Sequence, residues 1–410
     1  MKRLLLRARK DPFELVSPEP SLDRNTIADN SGNLIFSGAA YGILATNDTE
    51  LTADRFVIDP GAADRINERY DAYVIPLANA FRVSYEANLI RLTRLISRLR
   101  IPVVVLGVGA QSDVRYETDR LRRIEPAIRA FVGAVLDHGP SIGVRGAFTA
   151  SYLARLGFRD VEVIGCPSLF LRGPELRVEK GPAALVRDAR LTLTVSPYVK
   201  AMRPIVARHV ARYPNLEYIA QDIDTLERLL WGGSAPDLDV PTRMYVDPWP
   251  WIEDLRGRDF VFGTRIHGTI AALLAGTPAY VFAHDSRTLE LAEYFAIPHR
   301  RMTDVPPDVD AAELHAEADF RAFNDGHAAR FAIFTAYLER HGLEHVFLPG
   351  QDPLAFDRRL RATPFPSAVT ARAPDEMPRI GRETRRLRRA LRHLRKAPRI
   401  RDWRARLAKR

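Results

Sequence analysis

The sequence predicts an α/β protein: two doubly wound, Rossmann-like domains facing a cleft, followed by a basic helical C-terminal tail. Three observations carry this. Short β-branched runs alternate with segments of helical periodicity, twice over, on either side of a stretch rich in Gly, Pro and charge at 172–190. The length of 410 residues exceeds the roughly 250–300 at which single cores stop growing. The charge is concentrated at one end: residues 379–410 carry 15 Lys and Arg against two acids, a net +13 within a whole-chain +10, which leaves the body at −3. The expected division is a first domain at 1–180, a second at 186–345, a proline-rich connector at 346–376 and a basic amphipathic tail at 377–410.

The elements follow in order. Residues 1–30, with prolines at 12, 18 and 20, read as irregular. Asn30-Ser31-Gly32-Asn33 reads as a polar turn ahead of an apolar segment. Residues 56–59 are a candidate strand, and 71–81 a strand running into a loop. Leu89, Leu92, Leu95, Ile96 and Leu99 share one helical face. Residues 102–111 read as a buried strand, its β-branched run of the kind covered on both faces in parallel sheets, ending in the Gly-x-Gly of Gly107-Val108-Gly109. That Gly-x-Gly lacks the third glycine of a dinucleotide fingerprint, so a turn needing positive φ is an equal reading. A helix at 120–137, a strand at 141–144, a helix at 147–157 and a strand at 161–168 complete the first half. The second half has strands at 191–196, 216–221, 244–246, 260–262 and 279–283. Helices lie near 201–213, 223–230, 249–256, 265–275 and 287–296. Residues 311–342 read as helical, and 350–376 as a poorly ordered connector.

Composition narrows the class. One cysteine, Cys166, excludes an internal disulfide framework and a cysteine-based zinc site. The leucines at 4–6 are too few for a signal-peptide core, and no apolar run approaches the ~20 residues of a membrane span. A cytoplasmic protein is expected. In the tail, Leu387, Leu391 and Leu394, then Ile400, Trp403 and Leu407, recur at helical spacing among arginines. Such helices suit an anionic membrane surface, with tryptophan as an interfacial anchor. A solvated arginine-rich end is the plainer reading. Nucleic-acid binding is disfavoured, because the tail lacks interleaved aromatics for base stacking.

The stretch with the most chemistry is Phe262-Gly263-Thr264-Arg265-Ile266-His267-Gly268: a short buried strand, a turn, and a helix start. Helix N-termini favour anions. Thr264 is the expected N-cap. Arg265 adds a permanently charged fork suited to phosphate or carboxylate, and His267 a group able to move a proton near neutrality. Gly263 and Gly268 are expected to let a ligand approach. Alone, His267 reads equally as a satisfied, partly buried histidine, and Arg145 as a surface ion pair. The combination favours a site. Further candidates at strand ends are Asn30, Asn33, Asn79, Gln111 and Arg145 from the first half, and Arg287 from the second. No His/Asp cluster has metal-ligand spacing, so no metal is expected.

At these residues the chain resembles the polysaccharide pyruvyl transferases over roughly residues 26–300. The resemblance rests on Asn30-Ser-Gly-Asn33, Leu106-Gly-Val-Gly-Ala-Gln111, Ile142-Gly-Val-Arg145, Val163-Ile-Gly-Cys-Pro-Ser168, and above all Arg265-Ile-His267-Gly268 with Gly276-Thr-Pro278. It implies a fold like that of the GT-B glycosyltransferases. It also implies transfer of the pyruvyl group of phosphoenolpyruvate onto two hydroxyls of a sugar, giving a ketal and phosphate. Phosphoenolpyruvate would be a co-substrate, with no separate cofactor, and the acceptor a lipid-linked or polymeric saccharide of the cell envelope. Arg145, Arg265 and His267 match family positions for donor binding and catalysis. Where many members carry a lysine, this chain has Arg287; arginine keeps a phosphate contact but does not release a proton. That moves the acid role to His267, with His284 as a lesser candidate. Two other readings stay open: a GT-B glycosyltransferase using a nucleotide sugar, with Glu290 or Glu293 on its ribose, and a non-enzymatic scaffold for membrane or nucleic acid.

Overall fold

The first sheet runs in the order β2-β1-β3-β4, all parallel: β1 (Lys2–Leu6), β2 (Thr49–Ala53), β3 (Ala72–Pro76) and β4 (Val103–Leu106). A parallel bridge between Val108 and Val144 carries it on to β5 (Ile142–Val144) and β6 (Val161–Val163). The second sheet holds β7 (Leu191–Thr194), β8 (Glu217–Ala220), β9 (Thr242–Met244), β10 (Phe260–Gly263), β11 (Ala279–Ala283), β12 (His299–Arg301) and β13 (Val369–Thr370). Its order is β12-β11-β10-β7-β8-β9-β13, parallel except for β13 on β9. These are features of a computed structural model that describes residues 1–181, 184–231 and 240–371. The basic tail expected at 377–410 lies outside the described residues.

Each sheet reverses its strand order once, between β1 and β3 in the first and between β7 and β10 in the second. Ligands of doubly wound sheets sit at the carboxyl ends of strands at such points. Here the two sets of carboxyl ends meet. Ser31 N donates to Gln221 O at 3.0 Å and Ile223 N to Asp29 O at 3.1 Å. Ser286 N donates to Ser112 O at 3.1 Å, and Ser112 N to Ser286 Oγ at 2.7 Å. The two Rossmann-like halves therefore face one another across their strand ends, in the GT-B-like manner expected. The chain then returns: Tyr337, in the helix Arg321–Arg340, donates its hydroxyl to Val105 O of β4 at 2.8 Å.

Several local expectations need correction. Residues 1–30 are not irregular. Lys2–Leu6 is the second strand of the first sheet, with Leu4, Leu5 and Leu6 buried, and Pro18–Arg24 is a helix. The strand escaped notice because charged residues bracket three leucines; Arg7 is buried beside them and ion-paired to Asp54 at 3.0 Å. The strand expected at 56–59 is a turn. Arg55 and Phe56 have positive φ, stabilised by Asp54 Oδ1 accepting from Phe56 N at 2.8 Å, and the strand is the preceding Thr49–Ala53. In the second half, the strand expected at 244–246 is Thr242–Met244. The described part of 350–376 is ordered. The helix Ala355–Ala362 buries Phe356 and Leu360, and Val369–Thr370 closes the edge of the second sheet. Among the described residues no helix is long and apolar enough to cross a membrane.

Candidate active site

Strand β10 is buried throughout and ends at Gly263 with φ +151°. A Cβ there would lie 2.4 Å from Thr194 O, and one on Gly268 would lie 2.5 Å from Thr194 Cβ. These glycines do not open a path for a ligand; they let the helix Ile266–Leu274 press against the end of β7. Thr264 is not the N-cap of that helix. Arg265 occupies the cap position, while Thr264 Oγ1 accepts from Ser196 N at 2.8 Å and fixes the loop after β7.

His267 projects from the first turn of this helix. The Ser31–Gly32 turn of the first half passes so close that a Cβ on Gly32 would lie 2.7 Å from His267 Cβ. Phe36 flanks the ring at 5.7 Å, and Nε2 is buried with no hydrogen-bond partner. Burial, then the charges of Arg145, Arg287 and Arg265, pull its pKa down to about 3. The imidazole is therefore neutral among these charges.

The arginines are held in two ways. Those from the second half are anchored to carboxylates. Arg265 Nη2 contacts both oxygens of Asp222 at 2.5 Å. Arg287 donates Nε to Asp285 Oδ2 at 2.7 Å, and Nη2 to the same oxygen. Asp285 in turn caps its own helix through Thr288 N at 3.1 Å. Arg145, from the first half, is 2% exposed, and its Nε donates to Gly107 O at 3.3 Å. Among the described residues no carboxylate lies in ion-pair range of it. Gly107, with φ +69°, is the turn glycine that the Gly-x-Gly suggested. Gly109 makes room for Arg145, whose Cδ would lie 2.6 Å from a Cβ there.

The structure brings Arg145, Arg265, Arg287 and His267 into one electrostatic neighbourhood. Asn79 and Gln111 join them, their side-chain amides 2.8 Å apart. Turned to satisfy its neighbours, the Asn79 oxygen accepts from Arg287 Nη1 at 3.1 Å. Asn30 lies at the junction of the halves, bridged to Asp222, with its Oδ1 accepting from Gly32 N at 2.9 Å. Asn33 is turned away: its amide donates to Ala28 O at 3.0 Å and closes the turn.

Sequence reasoning missed Arg82, Asp222 and Tyr198. Tyr198, 60% exposed, places its ring 5.6 Å from the Arg265 guanidinium and its hydroxyl 3.4 Å from His284 Nε2. Burial lowers the pKa of His284. Glu290 and Glu293 are engaged elsewhere, by Thr149 N at 2.6 Å and by the Tyr116 hydroxyl at 2.6 Å. Around the arginines, polar atoms of Thr194, Ser196, Gln221, Arg265, His267 and His284 are buried without partners. Buried polar groups are normally bonded, so such a concentration marks a place shaped for a polar ligand. With Arg265 and Arg287 paired to carboxylates and Arg145 not, its guanidinium charge suits the place to an anion. A separate surface depression of about 410 Å³, lined by Leu185, Arg187, Arg212 and Tyr213, shares no residue with it.

No curated protein matches the chain. Among solved structures it is similar to MnaA of S. aureus in complex with UDP, at 12% identity over 86% of this chain and 100% of that one, with a TM-score of 0.45. It is also similar to UDP-GlcNAc 2-epimerase from Neisseria meningitidis bound to UDP-GlcNAc, at 10% identity over 88% and 99%, with a TM-score of 0.40. The residues that build the site lie within or at the edge of the segment 19–286, which matches the family model for polysaccharide pyruvyl transferases, and the chain belongs to that family.

Proposed function

We propose that the chain transfers the pyruvyl group of phosphoenolpyruvate to two hydroxyls of a saccharide, forming a ketal and releasing phosphate. The observation that carries this reading is the neutral His267 set among Arg145, Arg265 and Arg287. Phosphoenolpyruvate presents a phosphate and a carboxylate on one carbon, and arginine forks serve both. Its negative charge offsets the arginines that depress His267, so the bound donor raises the histidine's proton affinity.

The chemistry then balances. His267 gives a proton to the methylene carbon as the first hydroxyl oxygen bonds to C2, and the proton of that hydroxyl restores the histidine. The C2–O bond to phosphate breaks, the second hydroxyl oxygen closes the ketal, and its proton leaves with the phosphate. General acid catalysis of this kind contributes about 10²–10⁴-fold. Arg287 acts here as a fixed cation and not as a proton donor. The nucleotide-sugar reading loses its two acidic candidates, because Glu290 and Glu293 already have partners.

The acceptor we favour is a lipid-linked or polymeric saccharide, met at the inner face of the cell membrane, with residues 377–410 on the anionic surface. Salt-sensitive sedimentation with anionic vesicles, lost on deleting 377–410, tests the tail. The reaction is tested by phosphate release from phosphoenolpyruvate with a saccharide acceptor, with the ketal methyl group followed by NMR. His267→Ala should abolish release. Full turnover by that variant removes the catalytic assignment, and stabilisation by nucleotide sugars but not by phosphoenolpyruvate removes the reaction itself.

A further inference from the structure

Arg82 lies outside every motif that points to the site, yet it comes within reach of Arg287 from the opposite half. With the Asn79 amide oriented as above, its single oxygen accepts from Arg82 Nη1 at 3.0 Å and from Arg287 Nη1 at 3.1 Å. Two guanidiniums thus converge on one neutral acceptor. Arg287 has Asp285 behind it. Among the described residues Arg82 has no carboxylate in ion-pair range, and Asp29 acts on it only from beyond that range; it has the Tyr85 ring at 5.6 Å, and its Nε is buried without a partner. Like charges held this close, with donors left over and a single paired carboxylate between them, favour the approach of a further anion. The mutual repulsion registers at Arg82, where burial and then Arg287 lower the pKa.

We infer that Arg82 and Arg287 form the subsite for the phosphate of the donor, one guanidinium from each half closing on a phosphate monoester dianion. The inference deepens the proposed reaction and rests on it for the identity of the donor. A phosphate has three terminal oxygens and two charges, enough to accept from two forks at once; a carboxylate is satisfied by one fork. Arg145 and Arg265 are then left for the carboxylate, beside His267 and the carbon it protonates. During transfer the C2–O bond breaks towards phosphate, and two fixed cations at that end stabilise the charge that develops there.

The test separates the two ends of the donor with simple probes on the full chain. Binding of inorganic phosphate and of pyruvate is measured by calorimetry for the wild type, Arg82→Gln and Arg82→Lys. Removing one charged fork should weaken phosphate by about 10-fold or more while leaving pyruvate within about 3-fold. Arg82→Lys, which keeps the charge and loses the fork, should fall between, and it carries the comparison if Arg82→Gln does not fold. Unchanged phosphate affinity overturns the subsite. So does an equal loss of both probes, or a loss of pyruvate alone. None of these readouts needs turnover, so a wild type that binds phosphate through Arg82 yet releases none from phosphoenolpyruvate refutes the reaction and leaves the subsite standing.

Discussion

Arg265 Nη2 is held by both carboxylate oxygens of Asp222 at 2.5 Å, so the arginine of the Arg-Ile-His motif meets a ligand already anchored. Asp222 comes from the end of β8, next to β7, and its neighbours Gln221 and Ile223 are hydrogen-bonded to the 29–31 loop of the first half. One carboxylate thus fixes the direction of a cation in the second half beside a seam with the first.

Asp222 also competes with the ligand. At ~8 Å and an effective dielectric of about 40, a carboxylate opposes a bound anion by roughly 1 kcal/mol. Asp222→Asn should therefore bind inorganic phosphate about 5-fold more tightly, while a less well positioned Arg265 lowers kcat on phosphoenolpyruvate. Calorimetry and steady-state rates on the same preparation check both. Weaker phosphate binding in that variant would show that positioning outweighs charge.

Binding of the donor should take up a proton. Burial and the three arginines put the folded-state pKa of His267 at about 3, below its unfolded value near 6.5. The neutral form is favoured in the fold. Its contribution to stability is complete above about pH 6.5 and is lost as pH falls towards 3. An anion that restores the pKa reverses this, so at pH 6 the heat of phosphoenolpyruvate binding should depend on the ionisation enthalpy of the buffer. The donor's phosphate, with a second pKa of about 6, adds its own proton exchange in every variant, so the histidine is read from the difference: His267→Gln should change the number of protons exchanged. The same number in wild type and variant would mean that the histidine stays neutral with donor bound.

The alternation of strands and helices is legible because buried parallel strands are near-continuous apolar runs: residues 260–263 and 279–283 are each placed to within a residue, and 103–106 is found but read on through the glycine turn that ends it. β1 was not, because its pairing on both sides comes from residues 49–53 and 72–76 and leaves little local pattern. The site was legible where a motif concentrates charge, at Arg265 and His267, and opaque where partners come from distant segments. Nothing at position 82 or 222 announces a partner at 287 or 265. Likewise, the glycines flanking the motif answer to Thr194, some 70 residues away in sequence, rather than to a ligand.

That reading of the glycines is open to measurement. At Gly263, φ is +151° and an added Cβ would meet backbone at 2.4 Å. Both strain and overpacking act together, so Gly263→Ala should lose about 2–4 kcal/mol of stability in urea unfolding. A loss below about 0.5 kcal/mol would mean that the strand end relaxes freely.

Glu290 gives the chain a pH dependence of the opposite sign to that of His267. Its carboxylate, 2% exposed, receives Thr149 N at 2.6 Å and Thr149 Oγ1 at 2.9 Å at the start of the helix Ala147–Arg155, joining the second half to the first. A Cβ on Gly146 would lie 2.3 Å from Glu290 Cγ, so the approach is tight. Burial raises the pKa to about 7, against the Thr149 hydrogen bonds and Arg145, which lower it. Between about pH 4.5 and 7 the folded chain holds a proton that the unfolded chain has released. Its contribution is therefore full below about 4.5, declines as pH rises through that window, and is absent above 7. Over that window the change amounts to roughly 3 kcal/mol. Glu290→Gln removes the titration and leaves a pH-independent cost of about 1 kcal/mol for the acceptor lost to Thr149. The wild type should thus exceed the variant in stability at pH 5, and the gap should close or reverse at pH 8. Urea unfolding of both proteins at the two pH values measures it, and because His267 titrates alike in each, the difference isolates Glu290. A gap that does not change with pH would place the proton elsewhere.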